Sequence, residues 1–247
     1  MTHDKPPPQK TTPIIAVDGP AASGKGTIAR ALAEYFGYDY LDTGLLYRAV
    51  AFYGNEMSFI DAYDQSKAKS GEIDKIVIPN LIKIASDLTQ SHLNAPELRG
   101  EKVATLASFI SKIPEIRAAL HEFQVNFADN PPDGRGAVLD GRDIGSVICP
   151  HADLKLYVTA NVHIRAKRRF LELYQQGKEG VYAGILADLI ARDHQDSTRA
   201  LAPLRQSSDA ILLDSSHMSR EIALATAIEQ GIICGLKPKS GKNLKSD

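Results

Sequence analysis

An α/β protein, with a parallel sheet covered by helices on both faces, is what this 247-residue sequence predicts. Three observations carry the prediction. Apolar runs at 14–17, 137–139, 154–158 and 211–213, with a weaker one at 38–41, have strand length and lack the polar alternation of a half-exposed strand. A turn signal and then a helically spaced stretch follow each run, the order expected of parallel strands joined by crossover helices. The composition, 43% AVILMFWYC and 24% charged, is that of an ordinary globular chain, and the length suffices for a sizeable core.

Taken in order, residues 1–12 are polar and proline-rich and read as a disordered arm. The strand at 14–17 runs through a glycine-rich loop into a helix over 25–36, and the strand at 38–41 precedes a helix over 45–53. Residues 55–96 then interrupt the alternation. The segment is too long for an ordinary loop and reads as an inserted helical subdomain. Within it, Ile76, Leu81, Ile84, Ala85 and Leu88 have the spacing of a helix rather than of a sheet. The core therefore covers 13–54 and 97–230, with helices at 101–109, 115–127, 162–175, 184–192 and 220–229. For the last of these Ser219 is the expected N-cap, and Gly231 is expected just past the end. A C-terminal tail takes up 231–247 and is basic from 236 on.

Charge and composition exclude several function classes. The chain has 29 Lys and Arg against 30 Asp and Glu, no Trp and 6% aromatics, which argues against nucleic-acid and membrane partners. No apolar run approaches the roughly 18 residues of a spanning helix, and the first residues lack a signal peptide's apolar stretch. Cys149 and Cys234 form neither a metal pattern nor a disulfide framework, so a reduced cytoplasmic protein is expected. The seven His do not gather with carboxylates or Cys at metal-ligand spacing.

The chemistry starts at Gly19, Pro20, Ala21, Ala22, Ser23, Gly24, Lys25, Gly26 and Thr27, which lie between a strand and a helix. Glycines let the main chain curl so that several N–H groups face one anion, and the helix N-terminus adds partial positive charge. Lys25 can reach the β- and γ-phosphates of a nucleoside triphosphate. A hydroxyl one turn into the helix can hold Mg²⁺. The usual pattern puts that hydroxyl directly after the lysine, whereas here Gly26 intervenes and Thr27 supplies it. The expected fold is therefore of the P-loop NTPase type, with five parallel strands.

Arginine is sorted along the chain. Residues 130–205 hold eight Arg and three Lys, and the rest holds five Arg and thirteen Lys. Phosphate sites favour the flat guanidinium fork. Arg142 directly follows a strand, where α/β proteins bind ligands. Arg165, Arg168 and Arg169 share one helical neighbourhood; for the last two a paired helix surface is the alternative.

The GKGT ending is similar to that of nucleoside monophosphate kinases. The segments YLDTGLLYRAV (40–50), LDGRDIGSVICP (139–150) and RDHQDSTRALAPLRQSSDAILLDSS (192–216) narrow the match. In order, these resemble bacterial cytidylate kinases, from about residue 14 to 229. The resemblance implies ATP as co-substrate, Mg²⁺, CMP and dCMP as acceptors, and a monomer. It makes 55–96 the acceptor-binding insert and about 161–180 a short lid over ATP, whose Arg165 and Arg169, with Lys25 and Arg142, stabilise the moving phosphoryl group. By the same resemblance Arg48 and Arg142 hold the CMP phosphate, while Tyr47 lines the base pocket beside Thr43. Asp143 and Arg117 read cytosine, with Ser108 beside them. Arg192 and Asp196 hold the ribose, and Arg199 contacts phosphate. A carboxylate suits the amine of cytosine and opposes the carbonyl of uracil. Several alternatives stay open. Tyr47 could be a core aromatic, Arg192 and Asp196 a surface pair, and Asp140 either an orienter of the Mg²⁺ water shell or a brace for the loop. Another kinase of this type, acting on UMP, AMP or a metabolite, is the rival function. A nucleotide-hydrolysing switch is the rival from another class.

Overall fold

A computed structural model describes residues 12–56 and 74–239. The arm up to residue 11, the middle of the insert and the tail from residue 240 lie outside the described residues. The chain divides into two compact units. One comprises residues up to 41, 126–198 and 202 onward; the other comprises 42–125 with 199–201.

The first unit carries the sheet. Its strands are β1 (Ile14–Asp18), β2 (Asp39–Asp42), β3 (Ala137–Gly141), β4 (Leu154–Thr159) and β5 (Ile211–Asp214), in the order β2-β3-β1-β4-β5. The pairs β1–β3, β1–β4 and β4–β5 are parallel, so the five-stranded α/β expectation holds. β1 and β3 are buried throughout, which explains their unbroken apolar runs. Every strand, however, outruns its apolar run by at least one residue. The added residues are Asp18, Asp42, Asp140 with Gly141, Thr159 and Asp214. Polar groups therefore line the C-terminal ends of all five strands.

The helices of this unit are α1 (Lys25–Phe36), α6 (Val162–Gln175), α7 (Tyr182–Thr198) and α8 (Arg220–Ile233). α1 turns Ile28, Ala29, Leu32, Ala33 and Phe36 inward at i, i+4 spacing, where they join Ile15, Val17, Val138, Leu156 and Val158. Each such large apolar side chain contributes about 1.5–3 kcal/mol by leaving water. Ser219 caps α8 as expected, its hydroxyl accepting the Ile222 N–H at 3.3 Å. Gly231 does not stop that helix. The helix continues to Ile233, and the left-handed glycine past its end is Gly235 (φ +83°). A Cβ on Gly231 would stand 2.6 Å from the Phe36 ring, so this glycine serves helix packing rather than termination.

The second unit holds α2 (Thr43–Glu56), α3 (Asp74–Ser86), two 3₁₀ turns (Gln90–Asn94 and Pro96–Arg99) and α4 (Glu101–Ile110). It also holds most of α5 (Pro114–Asp129). The helix expected around residues 76–88 is α3, which buries Val77, Leu81 and Ala85 on one stripe despite Pro79. The unit takes in α2, α4 and much of α5 besides the 55–96 segment. Among the described residues no helix is long and apolar enough to cross a membrane.

Candidate active site

The glycine-rich loop joins β1 to α1. Gly19 has φ +154°, and a Cβ there would sit 2.0 Å from the Val158 carbonyl oxygen, so no other residue fits. Gly24 (φ +88°) is the N-cap of α1 and accepts the N–H groups of Thr27 and Ile28, each at 3.1 Å. No side chain caps the helix, and no acidic residue stands in its first turn. This arrangement suits an anion at that end.

Lys25 donates to Asp140 Oδ1 at 2.6 Å, from a site where the lysine side chain is 14% exposed and the carboxylate 1%. Tyr40 donates to the other oxygen at 3.2 Å. The same carboxylate explains the one-residue departure from the usual loop pattern. A Cβ on Gly26 would meet Asp140 Oδ2 at 3.0 Å, so the position after the lysine is pressed to stay bare, and the hydroxyl moves to half-buried Thr27. Of the two roles open for Asp140, bracing the loop is the contact seen here.

Asp140 also ties this loop to the arginines. β3 and β1 run in register, Val17 beside Asp140 and Asp18 beside Gly141, so Arg142 and Asp143 leave the sheet next to the strand that feeds the loop. Arg142 Nε donates to Asp196 Oδ2 at 2.8 Å, and Nη1 donates to the Gly141 carbonyl at 3.2 Å. Arg192, on α7 with Asp196, has its guanidinium pushed below the usual arginine range by burial and by nearby Arg142. Lys25, Asp140, Arg142, Asp143, Arg192 and Asp196 thus belong to one rim of the first unit.

Asp18 went unremarked in the sequence. It is 6% exposed, and its two oxygens accept the N–H groups of Ile144 and Gly145, each at 2.8 Å. Those residues open a single π turn (Ile144–Ile148) directly after Asp143. The carboxylate at the mouth of the phosphate loop therefore fixes the turn that carries Asp143. Burial pushes its carboxyl up to about 6; the two N–H bonds oppose the rise and Asp143 adds to it. The visible signal was a lone Asp closing the apolar run of β1.

On α6, Arg169 pairs with Glu172 at 2.9 Å on the half-exposed surface. Such i,i+3 pairs contribute little and break readily. Arg168 instead donates to the Ser215 hydroxyl (3.0 Å) and carbonyl (2.7 Å). Arg165, expected over the phosphoryl group, is 4% exposed and turned to Asp193 and the carbonyls of Ala21 and Ala160. A cavity of about 620 Å³, lined by Thr159, Ala160, Asn161, Ile164, Asp214, Ser216 and His217, opens at the ends of β4 and β5. Sequence reasoning had not assigned it. The Ser216 hydroxyl and amide hold the Asp214 carboxyl below its ordinary value.

In the second unit, Thr43 is buried at the start of α2, and Arg48 Nη1 donates to the Leu98 carbonyl at 2.9 Å. The Arg117 guanidinium stands 5.9 Å from the centre of the Tyr47 ring. It also bonds the Ser111 carbonyl (3.4 Å), while the Ser111 hydroxyl donates to the Ser108 carbonyl (2.8 Å). Tyr47, Arg117 and Ser108 are thereby joined through one chain of contacts. Tyr47 is half-buried, and so is Arg199.

Known proteins match this arrangement along most of the chain. A family model described as cytidylate kinase matches residues 15–231. A protein named cytidylate kinase from Paramagnetospirillum magneticum is 47% identical over 220 residues, covering 89% of this chain and 97% of its own. Another of that name, from Bradyrhizobium sp. (strain ORS 278), is 46% identical over 216 residues, with 87% and 94% covered. With the glycine loop, the strand-end arginines and these relatives in agreement over nearly the same residues, the chain belongs to the cytidylate kinase family of nucleoside monophosphate kinases.

Proposed function

We propose that this protein transfers the γ-phosphoryl group of ATP to CMP or dCMP, giving ADP and CDP or dCDP by direct in-line attack. The observation that carries the reading is the shared rim. Lys25 of the phosphate loop is bonded to Asp140, and Arg142 follows Asp140 by two residues on the same strand end. A donor phosphate chain on the loop and an acceptor phosphate on Arg142 are brought together by adjacent strands.

The acceptor is itself a phosphate monoester, whose second pKa of about 6 leaves its oxygens charged near neutral pH. No covalent intermediate and no strong base are required. Catalysis reduces to positioning and to neutralising charge on the moving group. On binding nucleotide, Lys25 exchanges Asp140 for phosphate oxygens, and Arg142 exchanges Asp196. Arg169 gives up its surface pair with Glu172. Asp196, released from Arg142, and Arg192 take the ribose hydroxyls. The loop fits a phosphate chain because its main chain curls through positive φ at Gly19, Ala22 and Gly24. Thr27 fits Mg²⁺ as a hydroxyl ligand in the first turn of α1, with Asp140 able to act through water. When bound, the ion supplies charge for the β- and γ-oxygens. We assign the base and phosphate of the acceptor further contacts with Thr43, Tyr47, Arg48, Ser108, Arg117 and Arg199, and cytosine reading to Asp143 with Arg117. The cavity at Asn161, Ile164 and Asp214 has the size of a small-molecule site, and we assign it to the adenosine of ATP.

The test is a coupled assay of ADP release with CMP, dCMP, UMP, AMP or no acceptor. Release with CMP and dCMP well above the other three is expected. Preference for AMP or UMP would replace the substrate, and ATP turnover without any acceptor would replace the reaction.

A further inference from the structure

Arg165 occupies the first turn of α6, yet its guanidinium leaves that helix for two other parts of the first unit. Nε donates to the Ala160 carbonyl at 2.8 Å. Nη1 donates to the Ala21 carbonyl at 3.0 Å and to Asp193 Oδ1 at 3.1 Å, and Nη2 donates to Asp193 Oδ2 at 2.5 Å. The Asp193 pair is a bidentate fork, the geometry that fixes a guanidinium in direction as well as in place. Asp193 stands between Arg192 and Asp196 on α7, and Asp196 holds Arg142. One buried cation therefore reaches from the base of α6 to the phosphate loop and to the helix that carries the proposed ribose contacts.

The loop end of this linkage has a second peculiarity. Ala22 has φ +58°, in the left-handed region that a residue bearing a Cβ rarely adopts. Such a conformation persists where the surroundings impose it. The 21–22 peptide is trans, and in a trans peptide the carbonyl and the N–H point opposite ways. Drawing the Ala21 carbonyl onto the guanidinium therefore turns the Ala22 N–H away from Arg165.

We propose that Arg165, clamped by Asp193, is a positioning residue of the phosphate loop: it holds the 21–22 peptide so that the Ala22 amide faces the ATP phosphates, and it does not touch the transferred phosphoryl group. The proposal rests on reading the loop as the ATP site and changes the role that family resemblance gives this arginine. The lid charge at the phosphoryl group is left to Arg169. Asp193 becomes a functional residue through its hold on Arg165, with no substrate contact of its own.

Arg165→Lys keeps the charge and loses the fork. Asp193→Asn keeps the arginine and loses the countercharge. For both, the affinity for MgATP is measured by displacement of a fluorescent ATP analogue, and kcat, the KM for CMP and the melting temperature are measured alongside. Loss of one charge-assisted contact corresponds to roughly a 10- to 100-fold weakening of MgATP binding. We expect that loss in both variants, with the KM for CMP near its wild-type value and a smaller fall in kcat at saturating ATP. A fall in kcat with unchanged ATP affinity would return Arg165 to the transferring phosphoryl group and overturn the proposal. A lowered melting temperature with all kinetic and binding values intact would overturn it too, as would failure of both variants to fold, since the cluster would then serve folding alone. Wild-type protein that binds ATP but does not phosphorylate CMP would refute the function proposed above and leave this inference standing on the binding data.

Discussion

Lys25→Met should lower kcat for CMP phosphorylation roughly a hundred- to a thousandfold, the loss seen when one preorganised donor to a developing charge is removed. The lysine sits directly after Gly24, at the head of α1, where its ammonium can follow the β- and γ-phosphates. From the sequence alone the substitution would be expected to fold normally. The structure corrects that expectation. Lys25 is the 2.6 Å partner of a carboxylate that is 1% exposed, and removing one member of a buried pair costs about 3–5 kcal/mol. The Tyr40 hydroxyl remains on the other oxygen of Asp140 and offsets part of that cost. Lys25→Gln is the cleaner variant, because its amide can still donate to Asp140 while carrying no charge to phosphate. The expected result is a folded Gln variant, more resistant to urea than the Met variant though less than wild type, with the same loss of kcat. Wild-type turnover in the folded Gln variant would refute the assignment of the loop.

Asp143→Ala should lower kcat/KM for CMP by about two orders of magnitude and that for UMP far less. A desolvated site built to match a hydrogen-bonding group discriminates by at least that much when the match is lost. The carboxylate is 7% exposed, so its partner gains the benefit of a dry site. The main chain should tolerate the truncation. The Asp143 carbonyl accepts the N–H groups of Val147 (2.9 Å) and Ile148 (3.2 Å), and Asp18 holds the next two amides, so the turn is set by backbone bonds. Removing the Asp143 charge also relieves its repulsion of Asp18. Equal losses on CMP and UMP, measured in one coupled assay, would show that Asp143 does not read the base.

Much of this was legible in the residues, for reasons that particular elements make plain. β1 and β3 stand out because they are buried on both faces and therefore lack polar interruptions, whereas β2 and β5 are partly exposed, and β2, with Asp39 in it, gave the weaker signal. The helix over 162–175 has its bounds as expected because Asn161 caps it, accepting the His163 N–H at 2.9 Å, and Gly177 follows it with φ +69°. The loop of residues 19–27 is local, so its function can be seen in one stretch of chain. What escaped detection depends on partners far away in sequence. Gly231 looked like a helix stop because nothing in its neighbourhood announces Phe36. Gly26 looked like an irregularity until Asp140, 114 positions on, was seen against it. By resemblance Arg165 and Arg169 both belong to the lid over the phosphoryl group. Only the positions of Ala21 and Asp193 separate the buried arginine from the surface one. The polar residues closing each strand also fell outside the apolar runs, although they proved to be strand residues, and Asp18 and Asp140 among them hold the turn after β3 and the phosphate loop.

Following the label from γ-³²P-ATP in a single turnover with CMP tests the central claim most directly. The account expects the label on the β-phosphate of CDP, with none on the protein at any time and little as inorganic phosphate. Label released as phosphate at the same rate with and without CMP, or held on the protein before it reaches CMP, would contradict direct transfer between two phosphates gathered at one rim of the sheet.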